Sequence, residues 1–283
     1  MTRDACMLLL SSTVFTGVAE AQQHDPLPER YDFVTRSSRS DLPEPLDEVS
    51  GLAFTPDGRL FAHADERAWV HEIDAETGRV GKRFMFGDRT ARDDFEGLAI
   101  VGERFFLVSS RGLLYEAREG QDREEVPYRT TDLGLGGGCN PEGLEYHPGW
   151  NELLIPCKDT PRDIGAIVIH RIPVSPDVAR PAPILVQRST LAAHGLDYDF
   201  HASGIALDPT TGTLILVAAR EEAIVEISDE GHVIAGVQLS RRRHPQVEGV
   251  AFGPDGTLFL ADERNRRAAR LTTYRRVEGR WPG

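Results

Sequence analysis

Val49-Ser50-Gly51-Leu52-Ala53-Phe54 decides the fold, because closely related hexapeptides recur along the chain. They are Phe95-Glu96-Gly97-Leu98-Ala99-Ile100, Pro141-Glu142-Gly143-Leu144-Glu145-Tyr146, Ala202-Ser203-Gly204-Ile205-Ala206-Leu207 and Val247-Glu248-Gly249-Val250-Ala251-Phe252. Their glycines stand 46, 46, 61 and 45 residues apart, a period that fits a four-stranded propeller blade. Each copy reads as the first strand of one blade.

The segment after each copy repeats as well. Turns such as Thr55-Pro56-Asp57-Gly58 and Gly253-Pro254-Asp255-Gly256 use proline to fix φ and glycine to accept positive φ. Short runs rich in Val, Ile, Leu and Phe then predict second strands at 59–63, 104–108, 152–156, 213–217 and 257–261. Third strands are expected at 69–73, 113–117, 166–172, 223–227 and 268–272, and fourth strands at 80–86, 128–133, 183–187 and 233–239. The last repeat lacks a fourth strand, and residues 31–36 precede the first repeat as a spare one. The expectation is an all-β propeller of five antiparallel four-stranded blades, closed by that N-terminal strand so that no sheet edge is left open. Six blades is the alternative, since the interval of 61 residues has a surplus. That surplus reads as the loop 158–165 and a helical turn around 189–194.

The remaining composition narrows the function classes. With 283 residues, 40% hydrophobic and 27% charged, the chain is neither a disordered tail nor a polytopic membrane protein. A net charge of −13 disfavours a general nucleic-acid binder and suits cations. Residues 1–21 carry Arg3, an apolar stretch and Ala19-Glu20-Ala21, which together predict a secretory signal. That leaves 22–283 as one domain, exported to the periplasm or secreted. An uncleaved segment anchoring the chain to the inner membrane is the alternative. In an oxidising compartment Cys139 and Cys157 are free to pair. A hairpin around residues 147–151 would bring them to the same end of one blade, so a disulfide is expected.

The succession Glu48-Val49-Ser50-Gly51-Leu52, Asp94-Phe95-Glu96-Gly97-Leu98, Cys139-Asn140-Pro141-Glu142-Gly143-Leu144 and Val247-Glu248-Gly249-Val250-Ala251, with Ala261-Asp262-Glu263 after the last second strand, resembles the SdiA-regulated family. The resemblance implies an exported or membrane-anchored bacterial β-propeller without an agreed activity. More distantly the repeats are similar to phytase-like esterases and calcium-dependent lactonase propellers, which implies a site in the central channel.

First strands line a propeller axis, so the residues before the repeat glycines, Ser50, Glu96, Glu142, Ser203 and Glu248, are expected to converge there. Glu96, Glu142 and Glu248 form a candidate calcium site, because hard cations take oxygen ligands. The competing reading is that each glutamate accepts backbone hydrogen bonds and ties blades together. Asn140 and His201 are expected at the same mouth. Asp65 and Asp262, in the echoed strings His63-Ala64-Asp65-Glu66-Arg67 and Leu260-Ala261-Asp262-Glu263-Arg264, are candidate outer contacts. Arg241-Arg242-Arg243 and the arginines from Arg264 onward read as a solvated basic minority or as a contact for an anionic lipid or glycan. No Gly-x-Ser-x-Gly, His-Glu-x-x-His or Gly-x-x-x-x-Gly-Lys motif occurs. The sequence therefore points to a monomer binding a cation and a small molecule or an envelope protein. A metal-dependent hydrolase of an ester, lactone or phosphoester is the alternative, and a structural interaction platform a further one.

Overall fold

Alternating apolar residues and Pro/Gly turns at a fixed period leave the chain one regular way to bury its strands, as a ring of sheets. In the computed structural model, residues 24–277 are described apart from 36, 89, 136, 162 and 163. The expected signal at 1–21 lies outside the described residues. A short helix, α1 (Leu27–Arg30), precedes β1 (Ser38–Asp41). Blade 1 holds β2 (Val49–Phe54), β3 (Leu60–Ala64), β4 (Trp69–Ile73) and β5 (Val80–Phe86). Blade 2 holds β6 (Phe95–Val101), β7 (Arg104–Ser109), β8 (Leu113–Arg118) and β10 (Tyr128–Asp132), while β9 (Glu125–Val126) adds to blade 1 parallel to β5. Blade 3 is built from β11 (Glu145–His147), β12 (Glu152–Pro156), β13 (Ala166–Pro173) and β14 (Ile184–Gln187). Blade 4 is built from β15 (Gly204–Leu207), β16 (Leu214–Ala218), β17 (Ala223–Ile227) and β18 (Val233–Gln238). Blade 5 takes β19 (Val247–Phe252), β20 (Leu258–Asp262) and β21 (Arg270–Tyr274) from the C-terminal side and β1 as its outer strand. The protein is a five-bladed β-propeller. The surplus of the long interval goes partly into a 3-10 helix, Arg188–His194, and not into a sixth blade.

The ring closes through an N-terminal strand, but through Ser38–Asp41 instead of 31–36, with Arg39 opposite Thr272. Two local effects divert the expected segment. Tyr31 is buried and donates its hydroxyl to the Gly256 carbonyl at 2.5 Å. Asp32 then accepts the Val34 and Thr35 N–H groups at 2.9 Å, an Asx-type turn that competes with strand formation.

Five apolar clusters fill the five blade-to-blade interfaces. Between blades 1 and 2, Phe61 meets Phe105 edge-on at 4.9 Å and Phe84 meets it at 5.1 Å. The corresponding cluster between blades 5 and 1 contains Leu52, Ala62, Phe259 and Leu271, so the core runs around the whole circle. The repeat glycines explain why the inner strands can pack so closely. A Cβ on Gly97 would come 2.4 Å from the carbonyl carbon of Gly143, and one on Gly204 would come 2.5 Å from the Glu248 carbonyl oxygen. Neighbouring first strands thus touch backbone to backbone at the axis, which any side chain would prevent.

Candidate functional site

The residues before the repeat glycines are freed from the strand ladder. Pairing skips from Val49 to Gly51, from Phe95 to Gly97 and from Val247 to Gly249, making Ser50, Glu96 and Glu248 the extra residues of β-bulges. A bulge bends its strand and re-aims the side chain that it releases. In blade 3 the break is wider: Glu142 lies between the isolated Pro141–Cys157 bridge and the Glu145–Leu154 pair. Two bulges and the break in blade 3 deliver three carboxyl groups to one end of the channel.

Those three feel one another's charge. Glu142, 3% exposed, shares a hydrogen bond with Glu96. It also accepts a 2.7 Å bond from Lys158 Nζ and a 3.4 Å bond from Asn140 Nδ2. Burial and the negative charge of Glu142 push the Glu96 carboxyl up to about 9. Burial, with Glu263 and Glu142 nearby, pushes Glu248 up to about 8. Glu142 is also raised by burial, against the opposing charge of Lys158. Burial and crowding therefore favour the protonated form of Glu96 and Glu248.

A second tier surrounds them. A residue just beyond the second strand, the first in blades 1 and 5 and the second in blade 3, donates its N–H to the residue three before the repeat glycine, as in Asp65 to Glu48, Glu263 to Gln246 and Lys158 to Asn140. Burial and the charge of Glu48 raise Asp65 to about 6, and burial and the charge of Asp65 raise Glu263 to about 7. Asp94 adds its charge to Asp65, Glu96 and Glu142. Glu96, Glu142, Glu248 and Glu263 thus lie in the field of the Lys158 ammonium, and Glu48, Asp65 and Asp94 extend the acidic group beyond it. Beside Lys158, Ser203 and Glu248 a cavity of about 280 Å³ opens, walled by His201, Arg220 and Gln246.

The other residues singled out from sequence have separate tasks. Ser203 Oγ donates to the Val247 carbonyl at 2.8 Å and accepts the Ala219 N–H at 3.1 Å, joining blades 4 and 5. Ser50 Oγ contacts the Glu48 carbonyl at 3.3 Å. His201 lines the cavity with its Nδ1 held 2.7 Å from Glu221 Oε1. Asp65 and Asp262 are not equivalent, although their strings match letter for letter from Ala to Arg. Val49 pairs with Ala64 whereas Val247 pairs with Asp262, so the partner of Asp65 in blade 5 is Glu263. A shift of one residue turns a strand side chain to the opposite face. Asp262 is accordingly buried against His244 Nδ1 at 2.8 Å and the Gln246 N–H at 3.3 Å, away from the mouth. Cys139 and Cys157 are joined as a disulfide beside the break in the ladder that holds Glu142.

Lys158, Glu48, Asp94 and Glu263 were missed by the sequence reading. The repeat could have found Glu48 and Asp94, because each stands three residues before a repeat glycine. Among the described residues, the group of His, Cys, Asp and Glu ligand atoms within 4.8 Å of one another is Cys139, Cys157 and His170, not the glutamates. The two sulfurs of that group are bonded to each other. With Lys158 among them, the three glutamates form an open acidic cup.

Several solved structures share the architecture. The glutaminyl cyclase of Myxococcus xanthus is similar over 85% of this chain and 96% of its own, with a TM-score of 0.58 and 18% identity. The PQQ-bound aldose sugar dehydrogenase of Streptomyces coelicolor is similar over 86% and 99%, with a TM-score of 0.51 and 14% identity. Both are enzymes, and at these identities the likeness is one of fold. Residues 186–278, which run from the end of blade 3 through the last blade, match the SdiA-regulated family, so that the resemblance carried by the repeats is found again in the C-terminal third of the chain.

Proposed function

We propose that this protein is an exported binding module that takes up a cation, with calcium the first candidate, and a small ligand at the acidic mouth of its channel. The observation that carries the reading is the crowding of carboxyl groups at the mouth: Glu96, Glu142, Glu248 and Glu263 share the field of Lys158, Glu48, Asp65 and Asp94 adjoin them, and burial with mutual repulsion raises several of them. A cation relieves both penalties by displacing their protons. Glu96, Glu142 and Glu248 supply the oxygen ligands that calcium prefers, and Asn140 adds a neutral one. Lys158 must then release Glu142, so ammonium and metal compete for the same oxygens. The disulfide favours an oxidising compartment. Calorimetric titration of the chelator-treated protein with calcium tests the reading: saturable binding whose heat varies with buffer ionisation enthalpy is expected, because protons leave as the ion enters. No saturable heat at millimolar calcium would sink it.

One observation favours a second reading, hydrolysis of an ester, lactone or phosphoester. A carboxylic acid kept neutral at pH 7, as Glu96 is, can donate a proton to a leaving oxygen. Glu96→Gln should then abolish turnover in a panel of such substrates, and retention of turnover would dismiss Glu96 as the acid.

A further inference from the structure

Next to the acidic mouth the charge reverses. The loop from β18 to β19 carries Arg241 and Arg242, and the loop from β20 to β21 carries Arg266 and Arg267. Together with Arg270 and Asn265 they line a cavity of about 600 Å³. The bare size is that of a small-molecule site. Five guanidinium groups face one carboxyl group there, Glu263, on a chain whose net charge is −13.

Structural ion pairing does not account for this concentration. Arg264, outside the cavity, is matched to Asp47, and Arg241 is matched to Glu222 at 3.1 Å. Arg242, Arg266 and Arg267 form no ion pair among the described residues. Arg270 is the decisive member. It is 9% exposed, and its buried Nε finds no hydrogen-bond acceptor among the described residues. Its strand neighbour Asp262 turns its oxygens to His244 and to the Gln246 N–H, and Arg270 Nε makes no bond to it. A buried guanidinium nitrogen without an acceptor is costly unless a ligand supplies one.

We infer that this cavity is an anion site for a phosphate-bearing ligand, with Arg270 at its base and Arg242, Arg266 and Arg267 as the arms that close on phosphate oxygens. The guanidinium fork suits phosphate because it donates two parallel hydrogen bonds and stays charged at every physiological pH. Several arginines around one concavity select a ligand with at least two anionic groups over orthophosphate. The site lies beside the proposed cation cup and shares Glu263 with it, but does not depend on it.

Inorganic pyrophosphate is the direct probe, titrated calorimetrically into the full chain in buffer containing chelator, so that the outcome is independent of calcium. Saturable binding is expected. The variant Arg266→Gln/Arg267→Gln should weaken it by roughly tenfold or more, on the scale of lost charge-assisted hydrogen bonds. Both arginines are exposed, so its melting temperature should match that of the parent, and Arg270→Lys serves as a second variant with the charge kept and the fork removed. Glu142→Gln should bind pyrophosphate as the parent does. Vesicles of phosphatidylcholine containing phosphatidic acid decide the source of the phosphate: capture that pyrophosphate competes away assigns a lipid headgroup to the same cavity. Absence of saturable pyrophosphate binding, binding unchanged in both variants, or vesicle capture indifferent to pyrophosphate would each overturn the inference.

Discussion

The two ends of the blades bury charge in opposite ways. Where β15 turns into β16, Arg30 of α1 lies between Asp208 and Glu226, and all three are buried. Every carboxylate oxygen there has a donor. Asp208 Oδ1 accepts the Thr210 N–H at 2.8 Å, Glu226 Oε2 accepts the Leu27 N–H at 2.7 Å, and Glu226 Oε1 accepts the Thr213 hydroxyl at 2.9 Å. Arg30 takes the remaining positions. At the opposite end the mouth collects seven carboxyl groups, and Lys158 and Asn140 bond to Glu142 alone while Arg220 and Arg241 stand in the wall of the adjoining cavity. A cluster whose carboxylate oxygens all have donors fixes a strap onto its blade even with Arg30 Nε left over, whereas crowded carboxyls store repulsion that a ligand can relieve.

The largest expected effect separates these two roles. Arg30→Met leaves Asp208 and Glu226 buried without their cation, which costs on the order of 3–5 kcal/mol. For a domain of this size that lowers the melting temperature by roughly 10 °C. Glu142→Gln removes one charge from a crowded group and should shift melting far less in the absence of calcium. Scanning calorimetry of the two variants side by side checks this, and equal losses would erase the distinction between the two ends.

Acid and base should act on different parts of the molecule. His63 and His71 are fully buried on β3 and β4, and burial lowers each to about 4. Between pH 6.5 and 4 the unfolded chain binds protons that the folded chain refuses, so stability falls as pH falls through that window, by about 3 kcal/mol per histidine when complete. His71→Leu should flatten this acid limb, as followed by melting temperature against pH; an unchanged limb would assign it elsewhere. The mouth carboxyls have the reverse sign. Their folded values are raised, so the folded chain holds protons that the unfolded chain releases above about pH 4.5, and stability declines as pH rises toward 9.

How far the sequence could be read obeys the same division. The period of the glycines announced the blades, because backbone contact at the axis tolerates no side chain. Residues 69–73, 80–86 and 223–227 were strands to the residue; in 223–227 the buried β-branched run explains it, and in 80–86 Phe84 and Phe86 alternate into the core. Strand β1 was illegible: Ser38-Arg39-Ser40-Asp41 is polar throughout, as an outermost strand is free to be. The mouth was half legible. Position before glycine located Glu96, Glu142 and Glu248, but the matched letters around Asp65 and Asp262 concealed a shift of one residue that only the strand register exposes. Lys158 comes directly after a cysteine in a segment unlike its counterparts, and nothing local marks it as the partner of Glu142.

The smallest expected effect is the one most specific to the mouth. If calcium enters where protons leave, it binds the folded chain and not the unfolded one, and raises the melting temperature by mass action. The increment must also depend on pH. At pH 6 the ion displaces protons from Glu96 and Glu248, held at about 9 and about 8, whereas at pH 8.5 Glu248 is largely ionised already and the competition is weaker. Millimolar calcium should therefore stabilise the protein more at pH 8.5 than at pH 6, by a few degrees at most, and chelator should reverse the gain. Glu142→Gln should remove the increment at both values while leaving the response to pyrophosphate intact. Lys158→Met should enlarge the increment, because the competing ammonium is gone from the Glu142 oxygen. An increment that is independent of pH, or one that survives Glu142→Gln, would move the bound ion out of the mouth and leave the carboxyl cluster without a cation to explain it.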